Sequence, residues 1–247
     1  MRLYGLIGHP LEHSFSKDYF ENKFRNECLD CKFVNFDINS LDKLKGNIIS
    51  NPDLQGFTVT CPYKNEIISH LDFIDKNAKE IGAVNAVKID SSRRLHGSNT
   101  DYIGFQELLT DATSERNISK AIVCGTGGAS KAVQYVLKKK HIEYQIVSRN
   151  PNTADSLSYS QLKDRGFHDN ELIINTTPLG MHPNINECVD IPFDTINQSN
   201  ILIDLIYNPE ETLFLKKGKS KGASIYNGLK MLHIQADAAW DIWNKEQ

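Results

Sequence analysis

The chain has 247 residues, 40% of them hydrophobic and 24% charged, with a formal net charge of −3 at pH 7. That composition is typical of a globular protein with one large domain or two modest ones. The small negative charge gives no electrostatic reason to expect nucleic acid or a membrane as a partner. No apolar run approaches the ~20 residues that a membrane helix needs.

The N-terminal residues and the cysteines bear on the compartment. Gly8 and Pro10 break the first apolar run too early for a signal peptide. Five cysteines, an odd number, then favour reduced thiols. We therefore predict a cytoplasmic protein.

The first hundred residues alternate strand and helix patterns. Strands are predicted at residues 3–7, 32–36 and 57–60, and helices at 17–27, 41–49 and 78–81. Residues 83–89 and 95–98 predict a hairpin around Asp90-Ser91-Ser92-Arg93. Asp101 is predicted to cap a helix that extends through Leu109.

One metal motif occurs near the N-terminus. His9-Pro10-Leu11-Glu12-His13 matches the H-x-x-E-H pattern of certain zinc peptidases. That chemistry needs both histidines on one face of an established helix. Here the segment follows a predicted strand, and proline is tolerated only in the first turn of a helix. We predict no metal site.

A glycine-rich loop lies in the middle of the chain, after the apolar run Ala121-Ile122-Val123-Cys124 and before a helical pattern. A strand, a glycine turn and a helix in that order form a phosphate site, because the free N–H groups of the helix start point at the anion. The same pattern also fits a tight strand-to-helix turn. The loop consists of Gly125, Thr126, Gly127, Gly128, Ala129 and Ser130.

The residues after the next predicted strand bear on the choice of cofactor. Ser148-Arg149 stands about twenty residues on, where an NAD site expects an acidic residue for the ribose hydroxyls. A guanidinium there suits the 2′-phosphate of NADP, because it is always charged and its donors fit phosphate oxygens. The alternative is a solvated arginine.

From residue 120 to 226 the strand and helix patterns continue to alternate, with five strands marked by Ile122, Gln145, 172–175, 201–205 and 224–226. Such alternation predicts a mostly parallel sheet. A last helix is predicted over Leu229 to Trp243. We place one domain at residues 1–101 plus 229–247 and a second at 102–228.

Polar strings in the first half stand where strands end or turns begin, which is where α/β proteins keep their ligands. Their side chains are hydroxyls, amides, one lysine and one carboxylate. That set suits a small substrate with several hydroxyls and a carboxylate. The strings are 13–16, Val59 to Lys64, Gly82 to Asn85 and Gly97 to Asp101.

In these motifs and their order the chain resembles the shikimate dehydrogenase family over essentially its whole length. Further motifs carry the resemblance in the second half: Asn175-Thr176-Thr177-Pro178-Leu179-Gly180-Met181, Asp204-Leu205-Ile206-Tyr207-Asn208-Pro209, and Asn227-Gly228-Leu229-x-Met231-Leu232-x-x-Gln235-Ala236. The resemblance implies an α/β protein of two domains. One is an α/β substrate-binding domain with a mostly parallel sheet, and the other is a Rossmann-like NADP-binding domain.

The resemblance also implies roles for individual residues. Lys64 and Asp101 would be the catalytic pair, although an isolated lysine and aspartate would more simply form a surface ion pair. Ser14 and Ser16 would hold the substrate carboxylate, and Thr60, Asn85, Tyr207 and Gln235 would surround the ring hydroxyls. The implied cofactor residues are the glycine loop 125–130, Ser148, Arg149, Thr176, Leu205 and Gly228.

Three positions depart from the family's usual residues: Thr58 replaces Asn, Ala86 replaces Thr and Ser148 replaces Asn. None of them removes a catalytic group. The implied activity is NADPH-dependent reversible reduction of 3-dehydroshikimate to shikimate, by a monomer or a homodimer. Three alternatives stay open: a quinate/shikimate dehydrogenase of broader specificity, a non-catalytic NADP-binding sensor, and the more distant methylene-tetrahydrofolate dehydrogenases.

Overall fold

The computed structural model describes residues 1–11, 15–151 and 156–245. The chain forms two compact units, the first of Met1–Thr100 with Ala236–Gln247 and the second of Asp101–Gln235. Each unit is built on its own six-stranded sheet. The predicted α/β class with two domains is confirmed.

The sheet of the first unit has the strand order β2-β1-β3-β5-β6-β4. Strands β1, β2 and β3 are parallel, β3, β5 and β6 are antiparallel, and β4 pairs parallel with β6. The elements are β1 Arg2–Gly8, α1 Phe15–Asn26, β2 Cys31–Asp37, α2 Leu44–Ser50, β3 Leu54–Val59, β4 Phe73–Ile74, α3 Lys76–Ile81, β5 Ala86–Ile89 and β6 Leu95–Ser98.

The first strand of the predicted hairpin is shorter than expected. Strand β5 begins at Ala86, not at Ala83. Gly82 ends helix α3 in the left-handed conformation, with φ +69°. The three residues after it are needed to bring the chain back into the sheet, so Asn85 lies in a turn rather than in the strand.

The second unit carries a wholly parallel sheet in the order β12-β11-β10-β7-β8-β9. The five predicted strands are present, together with the two-residue β9, which is too short to give a sequence pattern. The elements are α4 Asp101–Thr113, β7 Lys120–Cys124, α5 Gly128–Lys139, β8 Glu143–Val147, β9 Ser156–Leu157, α6 Tyr159–Arg165, β10 Glu171–Asn175, β11 Ile201–Asp204, α7 Leu213–Ser220, β12 Ser224–Tyr226 and α8 Leu229–Asn244.

Alternating side chains of the strands form two apolar layers in each unit. In the first unit Ile7 of β1 faces one layer, whereas Tyr4 and Leu6 face the other. That other layer includes Trp243, whose Nε1 donates to the carbonyl of Val87 at 3.0 Å. In the second unit β10 and β11 are buried along their whole length, as expected for central parallel strands.

In a parallel sheet all strands end at the same edge, and ligands of α/β proteins bind outside that edge. The second unit has one such edge for six strands, and the first has one for β2, β1 and β3. Within the described ranges 1–11, 15–151 and 156–245, none of the helices has both the length and the apolar character that crossing a membrane requires.

Candidate active site

In the first unit, the end of β3 brings three predicted site residues together. The backbone N–H of Thr60 donates to the carbonyl of Ile7 at 2.9 Å, which places Thr60 beside the end of β1. The carbonyl of Lys64 accepts from Val84 at 2.7 Å, and the carbonyl of Asn85 accepts from Val59 at 2.8 Å. Thr60, Lys64 and Asn85 therefore lie in adjoining turns.

The side chain of Asn85 has a structural role of its own. It is 2% exposed, and its Oδ1 accepts from the backbone N–H of Thr100 at 2.6 Å. Its Nδ2 donates to the hydroxyl of Thr100 at 3.0 Å. Asn85 thus fixes the last residue before Asp101 to the turn that follows α3.

The remaining predicted substrate residues are spread over both units. Ser16 is half-buried in the first turn of α1, whereas Ser14 lies outside the described residues. Asp101, Tyr207 and Gln235 belong to the second unit. Asp101 is the first residue of α4 and is only 4% exposed, which does not fit a solvated surface ion pair.

The first histidine of the H-x-x-E-H string is paired with a carboxylate. Its Nδ1 lies 2.6 Å from Oδ1 of Asp37, and Oδ2 of Asp37 accepts from the backbone N–H of Leu11 at 3.2 Å. The hydrogen bond from His9, followed by that from Leu11, lowers the pKa of Asp37. Among the residues that the structure describes, no cluster of three or more His, Cys, Asp or Glu could hold a metal ion.

The predicted glycine loop joins β7 to the start of α5. Gly125 has φ +110°, a conformation that favours glycine, and its N–H donates to the carbonyl of Val147 at 2.9 Å. A Cβ added at Gly125 would lie 2.6 Å from the Thr176 hydroxyl oxygen. At Gly127, the residue before α5, an added Cβ would meet nothing within 4 Å. The loop is therefore tight at its first glycine and open at its second.

Ser130 shapes this loop from inside. It is fully buried, and its hydroxyl donates to the carbonyl of Gly125 at 2.7 Å while accepting from Nε2 of Gln134 at 2.9 Å. Thr126 and Gly127 are exposed, whereas Gly128 and Ala129 are partly buried. The atoms of the loop that are open to a ligand are those at its tip.

Ser148 and Arg149 directly follow β8, the neighbour of β7 in the sheet. The backbone N–H of Ser148 donates to the carbonyl of Leu157 at 3.0 Å, and its Oγ accepts from Asn150 at 3.2 Å. Arg149 is exposed. Burial raises the pKa of Tyr159 to about 12, and the charge of Arg149 opposes part of this rise.

The last three predicted cofactor residues follow strands β10, β11 and β12. Both the N–H and the hydroxyl of Thr176 donate to the carbonyl of Cys124, at 3.0 and 2.7 Å. Leu205 donates its N–H to the carbonyl of Asn175 at 3.0 Å, and Gly228 donates to the carbonyl of Ile206 at 3.0 Å. A Cβ at Gly228 would overlap the carbonyl of Leu205. Every predicted cofactor segment thus lies just beyond a strand, at one edge of one sheet.

A buried carboxylate lies under this edge, and sequence reasoning gave it no role. Asp204 ends β11, is fully buried and accepts hydrogen bonds from Asn175 and Thr212 at 3.1 and 2.6 Å. In the sequence, Asn175 and Asp204 each end an apolar run and begin one of the motifs that carry the family resemblance. A polar residue in that position is equally common at the start of an ordinary turn.

Alanine substitutions at two glycines of this edge should have different effects on stability. Gly228→Ala forces Leu205 to move, so we expect it to lower the free energy of unfolding of the second unit by about 1–3 kcal/mol and to weaken dinucleotide binding. In Gly127→Ala the added methyl group meets open space, so the free energy of unfolding should fall by less than about 1 kcal/mol. Gly127 caps the start of α5 without a side-chain hydrogen bond, so the substitution removes none. It should still weaken binding, because the added methyl group stands where a phosphate would approach the backbone.

Hydrogen exchange of the β11 and β12 amides is the suitable measure of stability for these two variants. Both tryptophans, Trp240 and Trp243, belong to the first unit, so their fluorescence reports on that unit. A Gly127→Ala protein with unchanged dinucleotide affinity would contradict the phosphate site at this loop. A Gly228→Ala protein with unchanged exchange would contradict the steric role of Gly228.

Known proteins resemble this chain in sequence and in structure. A sequence model described as the shikimate dehydrogenase substrate binding domain matches residues 6–87. The shikimate dehydrogenase (NADP(+)) of Methanococcus vannielii is 37% identical over an alignment of 260 positions, which covers 98% of this chain and 90% of that protein.

Two solved structures extend the likeness to the fold. The crystal structure of shikimate dehydrogenase 1 from Peptoclostridium difficile has 37% identity and a TM-score of 0.88, over 100% of this chain and 93% of that one. Shikimate 5-dehydrogenase from Thermus thermophilus, in complex with NADP(H) and shikimate, has 28% identity and a TM-score of 0.85, over 99% and 94%. With more than a third of its residues identical to such relatives over nearly its whole length, the chain belongs to the shikimate dehydrogenase family.

Proposed function

We propose that this protein catalyses the reversible NADPH-dependent reduction of 3-dehydroshikimate to shikimate. The observation that carries the proposal is the alignment of the glycine loop with four other segments along the carboxyl edge of one parallel sheet, in a chain of this family. It acts in the cytoplasm on a small-molecule substrate, as a monomer or a homodimer.

The open part of the cofactor edge fits a dinucleotide phosphate. The tip of the glycine loop has accessible backbone at Thr126 and Gly127, with room around Gly127. A helix start of this kind binds pyrophosphate through its N–H groups. Arg149 is exposed beyond the neighbouring strand, where it can pair with a 2′-phosphate. Thr176, Leu205 and Gly228 complete the edge toward the nicotinamide half.

The substrate is held by polar side chains of both hydroxyl and amide type. Ser14 and Ser16 bind its carboxylate, and Thr60, Asn85, Tyr207 and Gln235 bind its ring hydroxyls. The turns that carry Thr60 and Asn85 are tied together by backbone hydrogen bonds. A site of fixed donors and acceptors discriminates strongly against analogues that lack a hydroxyl, because its own polar groups are then left unpaired.

Lys64 and Asp101 carry the proton chemistry. NADPH, when bound, supplies the hydride that reduces the carbonyl group. Negative charge then develops on the carbonyl oxygen, and the Lys64 ammonium stabilises that charge and donates a proton to it. Asp101 accepts hydrogen bonds from the substrate and orients the lysine. In the oxidation direction Lys64 removes the proton from the same oxygen.

An absorbance assay at the NADPH band tests the proposal. The purified chain is mixed with NADP or NAD and with shikimate or quinate, in four separate combinations. We expect the highest rate of NADPH formation with NADP and shikimate. Comparable rates with quinate would indicate the broader quinate/shikimate activity. Absence of turnover in all four combinations, with NADP still bound, would indicate a sensor rather than an enzyme.

A further inference from the structure

Asp204 is a fully buried carboxylate with three hydrogen-bond donors. Its Oδ1 accepts from Nδ2 of Asn175 and from the backbone N–H of Ile206, both at 3.1 Å, and its Oδ2 accepts from the hydroxyl of Thr212 at 2.6 Å. Taking a carboxylate out of water carries a desolvation penalty that hydrogen bonds only partly offset. Stability alone does not explain a charged group at this position.

The three donors belong to the segments that carry the cofactor edge. Asn175 ends β10, and its Oδ1 accepts from both the N–H and the hydroxyl of Thr177, at 3.0 and 2.7 Å, which shapes the turn at Thr176. Ile206 lies between Leu205 and Tyr207 in the turn after β11. Its carbonyl also accepts from Gly228.

The third donor links this edge to a helix. The hydroxyl of Thr212 accepts from the backbone N–H of Leu215 at 3.3 Å and so caps the start of α7. A single carboxylate therefore joins the end of β10, the turn after β11 and the start of α7. These hydrogen bonds act beside the backbone hydrogen bond from Leu205 to the carbonyl of Asn175, and the one from Thr212 ties the start of α7 to the two strand ends.

We propose that Asp204 is a positioning residue for the dinucleotide, which holds the turns at Thr176 and Leu205 in their binding geometry without touching the ligand. The proposal rests on the proposed function, since it takes those two turns as part of the cofactor site.

Protonation of Asp204 gives this role a measurable signature. Burial raises the pKa of Asp204 to about 6, and the hydrogen bonds from Thr212, Ile206 and Asn175 oppose the rise. Once protonated, the carboxyl group donates a hydrogen bond and loses acceptor capacity. A proton on Oδ2 reverses the hydrogen bond with the Thr212 hydroxyl, whereas Oδ1 still accepts from Asn175 and Ile206, so the link to α7 changes as the pH falls through about 6.

Two thiols among the described residues interact with Asp204 and keep one charge state in this range. The thiols of Cys124 on β7 and of Cys188 face it, and burial raises their pKa values to about 12 and about 11. Lys217 of α7 partly lowers the pKa of Cys188, whereas Asp190 raises it. Both thiols stay neutral at pH 5–8, so the change in charge in this network belongs to Asp204.

The experiment compares NADP binding by the full-length wild type and Asp204→Asn, by calorimetric titration between pH 5 and pH 8. An amide has the shape of a protonated carboxyl group but cannot accept all three hydrogen bonds. At pH 7.5 we expect the Kd of the variant to exceed that of the wild type by about tenfold. The ratio of the two Kd values should fall toward one at pH 5, where Asp204 is itself protonated. The 2′-phosphate of NADP titrates in the same range for both proteins, so it cancels in the ratio.

A second pair of variants covers the case in which Asp204→Asn does not fold. Thr212→Val keeps the shape of the side chain but loses the hydroxyl group, whereas Thr212→Ser keeps the hydroxyl group. We expect weaker NADP binding for Thr212→Val and near wild-type binding for Thr212→Ser. Hydrogen exchange of the β10 and β11 amides shows whether each variant is folded.

The outcomes separate this inference from the proposed function. A wild type that binds no NADP overturns both. A wild type that binds NADP, with a Kd ratio that stays constant from pH 5 to pH 8, overturns the inference alone. Thr212→Val with wild-type Kd overturns it as well. A Kd ratio that depends on pH, together with the split between Val and Ser, supports it.

Discussion

Lys64→Ala is expected to lower kcat for shikimate oxidation by about 10²–10⁴-fold, the usual contribution of a positioned general acid or base. The KM for shikimate should change little, because the ammonium acts mainly on charge that develops in the transition state. Steady-state kinetics with NADP at saturation measures both constants. Near wild-type turnover in Lys64→Ala would contradict the mechanism.

Two further variants separate proton transfer from charge. Lys64→Arg keeps the positive charge, but a guanidinium does not release its proton near neutral pH. We therefore expect Lys64→Arg to lose most of its turnover as well. Lys79→Ala removes an exposed lysine from α3 of the same unit and should leave both constants unchanged. Equal losses in Lys64→Ala and Lys79→Ala would indicate a general electrostatic effect.

The turn that carries Lys64 is well placed to hold a catalytic side chain. Tyr63, its neighbour, is 5% exposed and donates its hydroxyl to the carbonyl of Ile38 at 2.7 Å. The carbonyl of Lys64 is itself held by Val84. Because both sides of the turn are fixed, Lys64→Ala removes the amine without releasing the backbone, and the kinetic effect can be assigned to the side chain.

The sequence predicted the fold where apolar runs are long. The strands of the second sheet were identified because central parallel strands such as β10 and β11 are buried on both faces and read as continuous apolar runs. Strand β9 was not, since two residues, Ser156–Leu157, carry no periodicity. Strand β5 begins three residues later than the sequence predicts, because Ala83 and Val84 are apolar but lie in a turn.

Some parts of the candidate site can be predicted from the sequence, and others cannot. Segments that follow strands, such as Thr176 and Leu205, can be placed at one edge once the sheet is known to be parallel. The burial of Ser130 and of Asp204 cannot be read from the sequence, because serine at the start of a helix and aspartate at the end of a strand are usually solvated. Their partners, Gly125 and Thr212, become apparent only when the chain is folded.

Arg149→Ala is expected to raise the KM for NADP by about 10- to 100-fold, since a lost charged hydrogen bond costs roughly 1.5–3 kcal/mol. The KM for NAD should hardly change, because NAD lacks the 2′-phosphate that the guanidinium is proposed to bind. Arg149 is exposed and is the second residue after β8, so the substitution removes no packing from the core. Steady-state kinetics with each cofactor, at saturating shikimate, gives the two values.

The remaining discrimination should come from the neighbouring residue. Adding Ser148→Asp to Arg149→Ala supplies an acceptor for the ribose diol and a charge that repels a 2′-phosphate. We expect the double variant to prefer NAD, which neither single change achieves alone.

Lys140→Ala is the matched control. Lys140 is an exposed lysine at the far end of α5, a helix of 12 residues that is about 18 Å long. Its loss should leave the preference for NADP intact. If the wild type uses NADP and NAD equally well, or if Lys140→Ala matches Arg149→Ala, then Arg149 is a solvated surface residue. The catalytic role of Lys64 would be unaffected by that result.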